Sequence, residues 1–457
     1  MNTTAQNNSS RAGHFVANML NRPLSAMPEV TDAAKKCLTD WVGVALGARQ
    51  EPAAQAMYHV VNSWQTQGRS RLLLGGTCAP IGAALANGTL AHCLDFDDTH
   101  GSSVAHLSGP TWAAVLALGM DRQASEHEML AAFIAGFEVG AQFGGDGFGI
   151  VVSHYGWHST GIFGCLAAAA ASASLFKLDA SAVERALGAA ATQTGGLTAS
   201  FGTMAKPFHA GKAALNGMLA AQMAQVGFSG SNLLLEQNVG LGQALVREQA
   251  LMPRVFETDR WELLRNGFKP YACCLLTHAA VDSARILRDK LRGKNIVSIE
   301  ARVHPLTIKL AGKTELTSPL EGKFSTAFVI ALGLSGYTAS RDDFSLERLR
   351  DPALLSLASK VTLVPDPALA ETAASLLIKC SDGSVTADQT LIAKGHPDNP
   401  MTWTDMYEKF KPLVEPTLGS QTLELFEILK NFEQPNHLNK LEKILATLPA
   451  IALPKLT

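Results

Sequence analysis

The sequence predicts a mainly α protein with a smaller α+β domain, and three observations carry that expectation. Apolar residues recur at helical intervals from about residue 25 to 265. Hydrophobic residues make up 47% of the chain but aromatics only 7%, so the core must be built from Ala, Leu, Val and Ile. Such small side chains let helices pack closely. After about residue 268 a strand-like alternation appears among the helical stretches. With 457 residues the chain has material for two or three domains.

The helices come first. "TDAAKKCLTDWVGVALGA" (31–48) opens with Thr31 and Asp32 as cap candidates. "HEMLAAFIAGFEVGAQFG" (127–144) and "KAALNGMLAAQMAQVGF" (212–228) follow the same period, and "GCLAAAAASASLFKL" (164–178) reads as a central helix that others surround closely. "HAAVDSARILRDKLRGK" (278–294) is amphipathic, whereas "VSIEARVHPL" (297–306) alternates as a strand does. "KFSTAFVIALGLSG" (323–336) returns to helix. "KVTLVPD" and "ASLLIKCSDGSVTADQTL" read as strands, the latter folded into a hairpin at "SDGS". Beyond "GHPDNP" (395–400) the chain is helical again. The expected organisation is a helical domain of residues 1–267 with 400–457 and an α+β domain of residues 268–399.

Charge narrows the function. Thirty-eight basic residues against 40 acidic ones give a net charge of −2 without long runs of one sign, which argues against nucleic acid or an anionic membrane as partner. The start, "MNTTAQNNSSRAGHF", lacks the apolar region of a secretory signal. "GIFGCLAAAAASASLF" (161–176) is shorter than the roughly 20 apolar residues a membrane span needs. A cytoplasmic protein is expected. Seven scattered cysteines have neither zinc-site nor disulfide spacing.

The chemistry-bearing residues gather in four stretches, each a loop running into a helix: "LDFDDTHGSSVAHLSGP" (94–110), "SHYGWHSTGIFG" (153–164), "GTMAKPFHAGKAALNG" (202–217) and "GFKPYACCLLTHAAVD" (267–282). The first turn of a helix attracts carboxylates through its unpaired N–H groups and dipole. In "GWHST", Ser159 or Thr160 is expected to cap the helix and leave His158 at its mouth, where the dipole favours the neutral, proton-accepting ring. In "MAKPFHAGK", Pro207 suits the first helical position, so Lys206 is expected just outside the helix start. Asp97 and Asp98 are read as shaping the loop, and His92 and Cys93 as packing. His154 and His158 do not form HExxH, and "DFDDTHG" lacks the alternating carboxylates of a calcium loop. GxSxG, P-loop and convincing GxGxxG patterns are missing as well. Cofactor-free, metal-free acid–base chemistry remains.

Through these four stretches, and through "HPLTIKL", "KFSTAFVIALGLSG" and "GHPDNPMTWTDMYEKF", the sequence resembles the MmgE/PrpD family of 2-methylcitrate dehydratases, cis-aconitate decarboxylases and an iminodisuccinate epimerase. The resemblance implies a helical domain carrying most of the site, a smaller α/β lid domain, a homodimer and no obligatory cofactor. It implies catalytic roles for Asp95, His106, His158, Lys206 and Lys269. Thr99, His100, Lys206, Lys269 and Phe328 are the implied substrate-binding positions. The family histidine matches His106 with a spacing one residue longer, so His100 competes for that place. Phe328 stands where the decarboxylases have Tyr.

The implied substrates are small di- or tricarboxylates whose reaction builds charge beside a carboxylate. Fixed cations, Lys206 and Lys269, would spread that charge, while imidazoles move protons and Asp95 orients one or carries a proton itself. Dehydration, decarboxylation and epimerisation all remain open at this level, as does a polycarboxylate-binding protein without activity.

Overall fold

The computed structural model describes residues 8–231, 240–246, 256–258 and 260–451. Its fold is mainly helical with a small mixed sheet, in agreement with the class read from the sequence. Two compact units divide the chain. The first takes the chain up to Cys93, Asp97–Gly267 and the chain from Trp403 onward; the second takes Leu94–Phe96 and Phe268–Thr402.

The first unit is built around helices α1 (Pro28–Gly47), α2 (Pro80–His92), α3 (Ser108–Arg122), α4 (Glu126–Gly144), α5 (Ser159–Leu175) and α6 (Ala205–Gln225). Helix α4 begins at Glu126, one residue before the stretch read from the sequence, because Ser125 and Glu128 cap each other's backbone N–H in a capping box. Every residue of α5 is buried, and α3, α4 and α6 all pack on it. Small residues make this possible. A Cβ on Gly217 of α6 would lie 2.6 Å from both Ala169 N and Cys165 O of α5, so the two backbones meet where a side chain would stand. Helix α7 (Trp403–Leu418), the first of the helices that follow the second unit, returns to α1. There the Lys409 ammonium pairs with Asp40 of α1, both buried.

A two-residue strand β1 (Thr99–His100) pairs antiparallel with β2 (Asn266–Gly267) and closes the loop that carries "DFDDTH". His100 N–H donates to Ala105 O at 3.0 Å, turning the chain back toward α3.

The second unit is a four-stranded sheet with helices. Strands β3 (Ile296–Val303), β4 (Val361–Pro365), β5 (Ala374–Cys380) and β6 (Val385–Thr390) lie in the order β4-β3-β5-β6. Strands β3 and β4 are parallel, the other pairs antiparallel. Alternate residues Ala374, Leu376, Ile378 and Cys380 of β5 are buried in one core with Ala280, Ala284 and Leu287 of the amphipathic helix His278–Lys290. The β5–β6 hairpin turns at "SDGS", where Gly383 takes φ +81° and Cys380 N–H donates to Ser384 O at 2.9 Å. Among the described residues, no helix is long and apolar enough to cross a membrane.

The contact between α5 and α6 yields a stability test. Gly217→Ala should lower the urea midpoint, since overpacking costs about 1–3 kcal/mol and outweighs the gain of up to about 1 kcal/mol in helix propensity. Gly101→Ala, where nothing lies within 4 Å of the new Cβ, should leave the midpoint unchanged.

Candidate active site

In the first unit the carboxylate of Asp97 stands between two imidazoles. Its Oδ2 is 2.9 Å and its Oδ1 3.1 Å from His92 Nδ1, and Oδ2 is 3.3 Å from His106 Nδ1. His92 closes the last turn of α2, and His106 lies two residues before α3, its backbone N–H held by Thr160 Oγ1 at 3.1 Å. Thr99 Oγ1 is 3.3 Å from His106 Nδ1. His158 stacks on His92 with ring centroids 5.7 Å apart, and its Nδ1 meets Nδ1 of His209 at 3.0 Å. Phe201 packs edge-on against His158, and the Lys206 ammonium lies 5.5 Å from the Phe201 ring centroid.

Burial decides the charge states. Burial alone would raise the Asp97 carboxyl, but His106 and His92 outweigh it and hold the group well below the usual carboxylate range. An ionised Asp97 requires hydrogen on both neighbouring Nδ1 atoms, so in the neutral rings Nε2 carries the lone pair. Burial drives His92 down to about 4; Asp97 opposes the shift, while Lys206 and His106 reinforce it. His158 is likewise held well below the ordinary value, first by burial and then by Lys206, His92, His209 and His106. The Nε2 of His92 is buried without a hydrogen-bond partner among the described residues. That ring stands beside two further imidazoles, those of His106 and His158.

Behind Asp97 lies a second buried carboxyl. Asp98 N–H donates to Asp40 Oδ2 at 3.0 Å, and Asp98 Oδ2 accepts from Ser108 Oγ and Asn266 Nδ2. Burial, followed by the charge of Asp40, pushes Asp98 up to about 7. This network pins the loop from α1, α3 and β2 at once.

The second unit holds its own pair. Buried Lys269 donates from Nζ to Asp95 O at 2.7 Å and lies 3.3 Å from Asp95 Oδ2. Lys323 Nζ donates to Leu94 O at 2.8 Å. Asp95 adopts φ +52°, a left-handed conformation that Asp tolerates better than most residues.

Several sequence expectations change here. His100 does not join the imidazole cluster: it is buried with Nε2 2.9 Å from Glu262 and Nδ1 2.9 Å from Ser103 Oγ. Phe328 is wholly buried, its ring 6.2 Å from Phe344, and offers no surface to a ligand. Lys206 sits inside the first turn of α6, which begins at Ala205, because Pro is tolerated anywhere the N–H lacks an intrahelical acceptor, not only at the first position. Neither Ser159 nor Thr160 caps α5. His158 is the N-cap residue, Ser159 Oγ donates to Gly149 O, and Thr160 serves His106. Asp97 and His92, read as loop and packing residues, form the centre of the cluster. His209, inside the quoted "KPFHAGKA", had no role assigned. His92 follows an unbroken apolar helix and precedes Asp97 by five residues; only that short spacing hinted at a pair.

Of the residues in this unit, His92, Asp97 and His106 could hold a metal ion, their ligating atoms lying within 4.8 Å of one another. Their mutual hydrogen bonds already account for that grouping.

A helical unit centred on a buried carboxylate and neutral imidazoles defines an acid–base site. Comparison with known proteins then places the sequence. The MmgE/PrpD N-terminal domain matches residues 11–253 and the MmgE/PrpD C-terminal domain residues 271–434. The chain belongs to the MmgE/PrpD family. It is 25% identical to the cis-aconitate decarboxylase-like protein oryM of Aspergillus oryzae, across 92% of this chain and 94% of that protein. It is 26% identical to a cis-aconitate decarboxylase of Aspergillus terreus, across 76% of each. With the cis-aconitate decarboxylase of Homo sapiens it shares 25% identity, across 78% of this chain and 77% of that one.

The neutral burial of His92 makes stability depend on pH. Its folded value of about 4 lies below the ordinary 6.5, so the unfolded chain binds the extra proton. The stabilisation is complete above pH 6.5 and is lost as pH falls toward 4, by about 3 kcal/mol for this residue. The urea midpoint should therefore drop across that window, and His92→Asn should make the drop shallower. An unchanged slope would refute neutral burial.

Proposed function

We propose that this protein is a cofactor-independent lyase acting on a small di- or tricarboxylate by acid–base chemistry next to a carboxylate. The observation that carries the proposal is the ionised Asp97 buried between His92 and His106, with His158 held neutral beside them. A neutral imidazole anchored through Nδ1 presents Nε2 as a base, and once protonated it returns the proton as an acid. In this reading His106 or His158 takes a proton from the carbon beside a carboxylate. A second imidazole delivers one to a leaving hydroxyl or to carbon. Lys206 lies close enough to depress both His92 and His158. The same charge favours an anionic substrate and the negative charge that builds during reaction. On the resemblance alone, Lys269 is assigned to a substrate carboxylate and Asp95 to carrying a proton. Thr99 completes the set through its contact with His106.

Three reactions fit this machinery. Dehydration of a 2-methylcitrate-like hydroxyacid is the first; Phe328, standing where the decarboxylases have Tyr, speaks for it through the resemblance alone, since its ring is buried. Decarboxylation of cis-aconitate is favoured by the names of the relatives. Epimerisation of a dicarboxylate uses the same groups with nothing leaving.

Purified protein should turn over one of citrate, 2-methylcitrate, cis-aconitate or iminodisuccinate, followed by double-bond absorbance, carbon dioxide release and optical rotation. On that substrate, Asp97→Asn and His158→Ala should each lower kcat by about 100-fold to 10,000-fold with a modest change in affinity. Silence on all four substrates would overturn the lyase assignment. Full activity in both variants would overturn the roles.

A further inference from the structure

The contact between His158 and His209 was anticipated by nothing in the sequence. Two Nδ1 atoms 3.0 Å apart form a hydrogen bond only when one of them carries the hydrogen and the other does not. The two neutral rings must therefore be opposite tautomers. If His158 holds the shared hydrogen, its Nε2 is a base. If His209 holds it, His158 carries its proton on Nε2 and is an acid.

Resting on the acid–base reading above, we propose that His209 is the positioning partner of His158. As His158 Nε2 gains a proton and His209 Nε2 loses one, the hydrogen between their Nδ1 atoms crosses from one ring to the other, and His158 Nε2 turns from proton acceptor into proton donor.

The surroundings favour such a pair over a single charged ring. Lys206, His92 and His106 face His158, and Lys206 and Lys212 face His209. An imidazolium is therefore disfavoured on either ring, by burial and by the ammonium groups of Lys206 and Lys212. A ring that cannot hold a cation is a poor general base unless a partner takes up its second hydrogen. The proton count closes. His158 Nε2 accepts a proton from substrate, the Nδ1 hydrogen of His158 passes to His209 Nδ1, and His209 releases its Nε2 proton to water. The reverse sequence returns the proton.

The rings are also held in place. His158 N–H donates to Gly196 O at 2.9 Å, and Phe201 braces the ring edge-on at 5.0 Å. Gly196 has φ +136°, and a Cβ there would lie 2.9 Å from His209 Nδ1. Only glycine allows the backbone to close on that ring.

The test is nitrogen-15 NMR of histidine-labelled protein without substrate, assigned with His158→Asn and His209→Asn, joined to steady-state kinetics. One ring should show the Nδ1–H and the other the Nε2–H pattern; identical tautomers would overturn the proposal. His209→Leu should lower kcat by about 100-fold with KM within threefold. His209→Asn, which keeps a hydrogen-bonding group near the place of Nδ1, should recover about a tenth of the parent rate. A kcat within twofold of the parent for His209→Leu would equally overturn it. Opposite tautomers in a protein silent on every polycarboxylate would sink the lyase reading and leave the hydrogen-bonded pair standing.

Discussion

A carboxylate removed from water must be paid for in hydrogen bonds, and Asp97 sets that requirement for the helical unit. It is fully buried, and an ionised carboxyl in such a place is tolerable only with donors on its oxygens. His92 and His106 supply them. That fixes the end of α2 and the approach to α3 within a few ångströms of each other, with the five-residue span from His92 to Asp97 as the hinge of the arrangement.

The loop could not hold this geometry alone. Asp98 turns its carboxyl the other way, toward Ser108 and Asn266, while its N–H reaches Asp40. Asp40 is in turn paired with Lys409. Helices α1, α3 and α7 and strand β2 thus meet behind the loop, and α7 helps to hold a turn more than 300 positions earlier in the chain. The two adjacent carboxyls have separate tasks: Asp97 faces imidazoles and stays ionised, while Asp98, beside another acid, is pushed up to about 7. Environment alone distinguishes them.

Asp97 stays ionised against its burial because His106 and His92 outweigh it, whereas burial itself keeps His92 and His158 neutral. Desolvation leads the shifts of His92, His158 and His209, with Lys206 adding to each. A set of neutral rings with one ammonium nearby suits proton exchange with an anionic molecule better than charge pairing would. Close packing of α5 on its small-residue neighbours is what brings His158, ahead of α5, and His209, on α6, within reach of the α2–α3 loop.

The sequence by itself determined the class of fold, the helical runs, the hairpin at "SDGS" and the family, because these rest on short-range periodicity, turn chemistry and ordered motifs. It also singled out the stretches whose His106, His158 and Lys206 the structure brings near one another. Tertiary structure alone decided which residues in those stretches face one another. Asp97 and Asp98 are neighbours with identical side chains, and local rules cannot say which one meets histidine and which meets Asn266, 168 residues away. Nor can they couple His158 to His209 or bury Phe328. Pairing, burial and proton affinity depend on groups distant in sequence, and those quantities exist only once the helices have packed.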